Sequence, residues 1–275
     1  AGLSCAAELN KLGHTVTVFE KDDKAGGIMR YGIPDFKLDK SILDRRIEIL
    51  MKEGIEFKLG CESGADLIQQ GFDAVCLATG ARTPRDLKIP GRELEGIHFA
   101  MDYLIRFNRG ERTEAKDKRV VVIGGGDTGE DCVGTAMRQG AKSVLQIEIL
   151  PKPPEQRPLS QPWPVYPKLL KSKEKGERLW SVSTKEFKGL QGRIQKLKCV
   201  KVDDSLKELP NSEFEIEADL VILALGFLKP EIKVEQKGVF VAGDARRGPS
   251  LIVHAIKEGR QAATAIDHYL ALSAS

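Results

Sequence analysis

Residues Val120–Cys132 read VVVIGGGDTGEDC. Four β-branched residues in a row, Val120 to Ile123, predict a strand buried on both faces. Three glycines follow at once and Gly129 opens a helical segment. Gly124, Gly126 and Gly129 therefore stand in G-x-G-x-x-G spacing between a strand and a helix. Each position has a physical reason. Gly124 permits the tight turn, Gly126 lets the backbone approach a pyrophosphate, and Gly129 lets the helix pack on the strand. The first amides of that helix have no partners inside it, so they and the helix dipole face an anion. With Ser143–Leu150 as the next strand, the stretch predicts a dinucleotide cradle; the alternative is a glycine-rich turn in an α/β sheet.

The chain has 275 residues, enough for one large domain or two moderate ones. Hydrophobic residues make up 41% and charged residues 30%, as in ordinary globular proteins. A net charge of +3, from 43 basic and 40 acidic residues, gives no electrostatic footprint for nucleic acid. The one basic run, Lys171–Lys175 (KSKEK), reads as a solvated loop. No apolar run reaches the roughly 18 residues of a membrane span, and no signal peptide is expected. The cysteines Cys5, Cys61, Cys76, Cys132 and Cys199 are scattered without a C-x-x-C. Neither a metal or iron–sulfur site within these residues nor a disulfide framework is expected, and a reducing, cytoplasmic setting fits.

A second cradle shows at the start. Ala1–Gly13 (AGLSCAAELNKLG) reads as a helix and His14–Glu20 (HTVTVFE) as the following strand. The eleven-residue spacing from Gly2 to Gly13 repeats from Gly129 to Gly140, with Cys5 and Cys132 in the same place. Gly2 thus matches the third glycine of a second fingerprint, whose strand and first two glycines would precede Ala1. Glu20 closes its strand 18 residues after Gly2, where a carboxylate accepts from ribose hydroxyls. Gly26 and Gly27 suit a backbone passing close over a cofactor, and the segment after them, Ile28–Lys40, reads as too irregular for a helix. Further on, Ser41–Glu53 predicts a helix capped by Ser41, Asp73–Gly80 a buried strand, and Ile97–Asn108 a helix. Gly110–Lys118 reads as the approach to a second domain. Pro151–Pro167 is an extended loop, Ser181–Phe187 and Ile194–Val202 belong to a β-meander, and Glu215–Gly226 ends in a buried strand. Gly238–Asp244 (GVFVAGD) is a strand ending in Gly-Asp, and Ser250–Leu270 a long helix with Ser250 as N-cap. Alternating strands and helices predict a largely parallel sheet.

Six stretches together resemble one family: GGIMRYGIPDFKLDK (Gly26–Lys40), VCLATGA (Val75–Ala81), PRDLKIPGRELEGIHFAMDYL (Pro84–Leu104), GGGDTGEDCVGTAMRQGA (Gly124–Ala141), PWPVYPK (Pro162–Lys168) and GVFVAGDARRGPSLIVHAIKEGRQAA (Gly238–Ala263). They resemble the flavoprotein reductases with two dinucleotide-binding domains, and more closely the small (β) subunits of glutamate synthase. The resemblance implies an α/β fold of two Rossmann-like domains, the NAD(P)H domain inserted in the FAD domain. Residues 1–110 and 227–275 would form the FAD domain and 111–226 the NAD(P)H domain. It implies that Gly2, Glu20, Gly27, Gly80, Gly243, Asp244 and the amides near Ile252 belong to an FAD site. It likewise implies that Gly124, Gly126, Asp127, Thr128 and Gly129 belong to an NAD(P)H site. In such proteins NAD(P)H gives hydride to FAD, and electrons pass through iron–sulfur clusters, here outside these residues, to the glutamate synthase large (α) subunit or another acceptor protein. No acid–base side chain is needed, because the cofactors carry the chemistry.

The choice between NADH and NADPH rests on three residues. Glu148, 19 residues after Gly129, suits a free 2′-hydroxyl, whereas Lys152 and Arg157 suit a 2′-phosphate. The basic pair tips the expectation toward NADPH. Family members also have a longer connection where only Ile232–Lys237 stand here, so internal residues are expected to be missing. Rival readings are a related electron-transfer subunit of the ferredoxin–NADP, sulfide or dihydropyrimidine dehydrogenase type, and a cofactor-less scaffold. A thioredoxin reductase is disfavoured by the absent C-x-x-C.

Overall fold

A computed structural model describes residues 1–163, 169–170, 174, 176–232 and 236–273. In chain order its elements are α1 (Gly2–Lys11), β1 (Thr17–Glu20), α2 (Ile28–Tyr31), α3 (Lys40–Lys52), β2 (Glu56–Leu59), β3 (Val75–Leu77), β4 (Ile97–Phe99), α4 (Ala100–Asn108), β5 (Arg119–Ile123), α5 (Asp127–Arg138), β6 (Ser143–Glu148), β7 (Glu177–Trp180), β8 (Val182–Leu190), β9 (Arg193–Val202), β10 (Glu208–Glu217), β11 (Leu220–Leu223), β12 (Val239–Val241), α6 (Asp244–Arg247) and α7 (Ile252–Ser273). They fall into two compact units. Unit 1 comprises Ala1–Tyr31, Leu38–Arg85 and Phe227–Ser275; unit 2 comprises Gly32–Lys37 and Asp86–Gly226.

Unit 2 is built on the strand quoted first. β5 lies at the centre of a five-stranded parallel sheet of order β4-β11-β5-β6-β7. Val120 and Val122 face one core with Tyr103, Leu104, Cys132, Val133 and Ala136 from α4 and α5. Val121 and Ile123 face the other, against Phe187, Leu197 and Cys199 of the antiparallel sheet β10-β9-β8. Burial on both faces is why the run is apolar throughout rather than alternating. Each fully buried Val or Ile contributes about 1.5–3 kcal/mol.

In unit 1, β1 pairs with β2 and β3 with β12, both in parallel. α1 buries Cys5, Ala6 and Ala7, and α7 buries Gly259, Ala262 and Ala263. Small residues let the two helices approach: a Cβ on Gly259 would lie 2.3 Å from the Ala1 carbonyl oxygen. Both α1 and α5 stop on a left-handed glycine, Gly13 (φ 92°) and Gly140 (φ 81°), the conformation that closes a helix C-terminus.

Several local expectations are corrected. Ile97–Phe99 is an edge strand ahead of α4, because it pairs with Val221–Leu223 of β11. The boundary between the units accordingly falls between Arg85 and Asp86, ahead of residue 110. The stretch expected to be irregular from Ile28 contains one helical turn, α2. Asp39, not Ser41, caps α3, accepting from the Ser41 amide at 2.9 Å. Ser250 does not cap α7; its hydroxyl donates to Asp244 Oδ1 at 2.7 Å. The residues 164–168, 171–173, 175 and 233–235, which carry part of PWPVYPK, of the basic run and of the short connection, lie outside those described.

Candidate dinucleotide-binding sites

In unit 2 the glycine loop joins β5 to α5, and its glycines are not equivalent. Gly124 has φ 120°, and a Cβ there would lie 2.3 Å from the Ala224 carbonyl oxygen. On Gly129 a Cβ would lie 2.2 Å from the Gly124 oxygen and 2.8 Å from Gln146 Nε2. Gly126, the residue before α5, is exposed, and a Cβ there meets nothing within 4 Å. Two glycines therefore serve close packing, and the third leaves open space at a helix N-terminus. Asp127 and Thr128 form the first turn of α5, and Asp127 is exposed. The loop is braced from β6: Gln146 Nε2 donates to the Gly124 oxygen at 2.8 Å. The Trp180 ring flanks Gly125.

Glu148 ends β6 beside this loop. Its Oε2 accepts from the Gly125 amide, and its Oε1 accepts from the Leu150 amide at 3.0 Å. Both oxygens thus already serve the backbone. Lys152 and Arg157 follow on the exposed loop after β6, where Lys152 pairs with Glu155 at 3.1 Å and Arg157 donates to the Gln161 oxygen at 2.8 Å. Behind the glycines, Glu130 is buried and paired with Arg178 at 2.6 Å; burial raises its pKa, with Arg178 opposing. Asp131 is pushed up to about 6, chiefly because burial penalises its charge, despite Lys37 at 3.6 Å.

In unit 1 most of the sequence-predicted residues stand at strand carboxyl ends or helix starts, where open α/β sheets bind ligands. β3 and β12 lie side by side, with Ala242 donating to the Leu77 oxygen at 3.0 Å, so Gly80 and Gly243 follow adjacent parallel strands. Gly2 starts α1 against the same place: a Cβ on it would meet Ala78 Cβ at 3.3 Å. Gly243 (φ 70°) needs the left-handed region, and a Cβ on it would lie 2.7 Å from Ala1 Cβ. Asp244 follows, partly exposed, and Ile252 begins α7. Glu20 ends β1 and accepts from the Asp22 amide at 3.1 Å; Arg82, just past Gly80, pairs with Asp22 at 3.4 Å. Gly27 (φ 54°) starts the turn that becomes α2, with nothing within 4 Å of a Cβ.

Sequence reasoning missed two braces. Gln146 is 2% exposed within an apolar strand, and its signal was a lone polar residue in SVLQIE. Glu258 of α7 is 5% exposed; it accepts from the Gly243 amide at 3.0 Å, Arg246 at 3.1 Å and Arg247 at 3.1 Å. The hydrogen bond from Arg246 is the main cause of its lowered pKa, with burial opposing. Only a buried-face acid in an otherwise apolar helix pattern could have signalled it. No group of three or more His, Cys, Asp or Glu among the described residues is placed to hold a metal ion. No helix among them is long and apolar enough to cross a membrane.

The chain is 46% identical to the glutamate synthase [NADPH] small chain of Mycobacterium tuberculosis (strain H37Rv), over 98% of this chain and 65% of that protein. It is 41% identical to the Bacillus subtilis small chain, over 98% of this chain and 66% of that one. The chain therefore spans just under two thirds of these relatives. The first alignment runs over 316 positions, more than the 275 residues here, so the relative holds internal residues that this chain lacks. Among solved structures, FprA of M. tuberculosis in complex with NADPH superposes with a TM-score of 0.76 at 18% identity, covering 98% of this chain and 82% of that one. Thioredoxin reductase of T. acidophilum gives 0.67 at 20%, covering 100% and 95%. These likenesses show the α/β fold. The family profile described as pyridine nucleotide-disulphide oxidoreductase matches residues 1–232, and the chain belongs to that family.

Proposed function

We propose that unit 1 binds FAD and unit 2 binds NADPH, and that the chain is the reductase module of a glutamate synthase, passing electrons to the large subunit. The observation that carries the NADPH assignment is the loop in which Gly124 and Gly129 are packed shut while Gly126 is open at the start of α5. Backbone amides there would hold the pyrophosphate. Lys152 and Arg157 stand on the loop where a 2′-phosphate would lie, and Glu148 is occupied by the Gly125 and Leu150 amides rather than kept for two ribose hydroxyls. In unit 1, Glu20 would accept from the adenosine ribose, Gly2 would admit the pyrophosphate, and Gly243, Asp244 and the first amides of α7 would hold the far end of FAD. When bound, FAD supplies the acceptor for hydride. The protein's own residues bind and orient; none is required to move a proton.

Relatives named glutamate synthase small chain support the partner. So does the Schizosaccharomyces pombe protein named glutamate synthase [NADH], in which the matching segment is 15% of one long chain. A module fused to the rest in one organism fits a module that docks to it in another. Three measurements test the reading. Purified protein supplied with FAD should show flavin absorption that bleaches on anaerobic addition of NADPH, with a lower KM for NADPH than for NADH. Absence of bleaching would point to the scaffold reading, and a lower KM for NADH would overturn the coenzyme assignment. Co-purification with a glutamate synthase large subunit tests the partner.

A further inference from the structure

One peptide group of the glycine loop in unit 2 is held from both of its ends. The Gly124 carbonyl and the Gly125 amide belong to a single planar unit. Gln146 Nε2 donates to that carbonyl oxygen at 2.8 Å, and Glu148 Oε2 accepts from that amide. The two side chains stand two residues apart on β6, so they leave the same face of the strand. Between them lies Ile147, whose carbonyl accepts from the Gly124 amide at 2.8 Å. That bond carries the parallel β5–β6 ladder one residue into the loop, and the flanking side chains take over where the ladder ends. Trp180, opposite Glu148 on β7, closes the far side: a Cβ on Gly125 would lie 2.8 Å from Glu148 Oε2 and 3.2 Å from the Trp180 ring.

Packing alone does not account for Gln146. It is 2% exposed, and the other buried residues of β6, Val144 and Ile147, are apolar. Its Oε1 is buried with no hydrogen-bond partner among the described residues. A buried polar atom without a partner costs stability, and a leucine would fill a similar volume without that orphaned oxygen. What the amide contributes is the orientation of one peptide. Only the φ and ψ of Gly125 separate this peptide from the next, which carries the amide of Gly126, so fixing the first restricts the second.

We propose that Gln146 and Glu148 are positioning residues of the dinucleotide site: together they clamp the Gly124–Gly125 peptide, and through it the amides that meet the coenzyme pyrophosphate. This rests on the reading of unit 2 as the NADPH site. A loop held in its bound shape loses less freedom on binding, and affinity rises accordingly. The pyrophosphate is common to NADPH and NADH, so the clamp governs affinity for both alike. Lys152 and Arg157, by contrast, bear on the 2′-phosphate alone. In this role Glu148 is not a ligand of the ribose.

The test is calorimetric titration of the full chain, supplied with FAD, with NADP⁺ and with NAD⁺. Gln146→Leu should bind both about tenfold more weakly and by the same factor, while its urea midpoint stays at or above that of the wild type. Without coenzyme, its Gly125 and Gly126 amides should exchange faster. Gln146→Glu supplies a signature that filling space cannot produce. A protonated carboxyl donates to the Gly124 oxygen and an ionised one cannot, and burial raises the pKa of the new group. Its NAD⁺ affinity should therefore match the wild type near about pH 5 and fall as pH rises, a slope absent from Gln146→Leu; if Gln146→Leu does not fold, this slope decides alone. Glu148→Gln should weaken NADP⁺ and NAD⁺ alike. Unchanged binding in Gln146→Leu with no slope in Gln146→Glu, while the wild type binds both coenzymes, overturns the clamp and leaves the NADPH reading standing. A selective loss of NAD⁺ in Glu148→Gln would make Glu148 a ribose ligand instead and overturn its part. A wild type that binds neither coenzyme overturns the reading and the clamp together.

Discussion

A Cβ on Gly129 would lie 2.2 Å from the Gly124 oxygen, and one on Gly126 would meet nothing within 4 Å. The two glycines of one motif therefore fail differently when replaced. Gly129→Ala forces α5 off β5 and should cost about 1–3 kcal/mol of stability. Gly126→Ala, at φ −79° and exposed, should change stability by less than about 0.5 kcal/mol and yet weaken NADPH binding. Urea unfolding and a nucleotide titration on both variants separate packing from contact; equal stability loss in the two would refute the distinction. Glu258 makes a second residue-scale case. Its folded pKa is depressed, so the stability it adds is present above its ordinary value of 4.5 and is lost as pH falls through the folded value. Glu258→Gln should lower stability at pH 7 by about 1–3 kcal/mol, because charge-assisted bonds from two arginines and the Gly243 amide weaken together. The wild-type advantage should shrink toward pH 3 in a urea series.

At the scale of elements, α5 carries the opposite sign. Asp131 is raised from 3.8 to about 6, so the folded protein holds more protons than the unfolded chain between those values. Stability must therefore fall as pH rises through that window. Asp131→Asn removes the buried charge, and the variant should gain about 1–3 kcal/mol over wild type at pH 7.5, with little difference near pH 4. A variant less stable at pH 7.5 would mean that the Lys37 pair outweighs burial. Elements also set what the sequence could disclose. β5, its loop and α5 were legible because a doubly buried strand must be wholly apolar and the tight turn demands glycine. The strand Ile97–Phe99 was not, because three edge residues run straight into a helix with no break between them. Nor was β10, whose alternating exposure hides among glutamates. The helix caps misled because Asp39 and Ser41 compete for one start, and Ser250 spends its hydroxyl on Asp244. The glycines whose backbone conformation or packing demands them, such as Gly124, Gly129 and Gly243, were legible, since backbone geometry is local. Glu258 and Gln146 were not, since each braces a glycine turn distant in sequence.

For the whole molecule, the division into two units makes the two cofactor assignments separable. Unit 1 holds its core between α1, α7 and its two strand pairs, and unit 2 between its parallel sheet and the layers on either side. A ligand that binds the native state stabilises what it touches by mass action, and amide exchange reports this locally. NADP⁺ at about 100 times its Kd adds about 2.7 kcal/mol to the unit that binds it. Slowed exchange should then centre on Gly124–Glu130 and the loop after β6, with Gly2–Cys5 unchanged. FAD should do the reverse, slowing Gly2–Cys5, the Gly243–Asp244 turn and the start of α7. The K152A/R157A double variant supplies the control for chemistry. It alters exposed side chains, so the fold should persist while NADP⁺ protection weakens and NAD⁺ protection stays as it was. Protection by NADP⁺ appearing first around Gly2 and Gly243 would exchange the roles of the two units, and equal weakening for NADP⁺ and NAD⁺ would remove Lys152 and Arg157 from coenzyme choice.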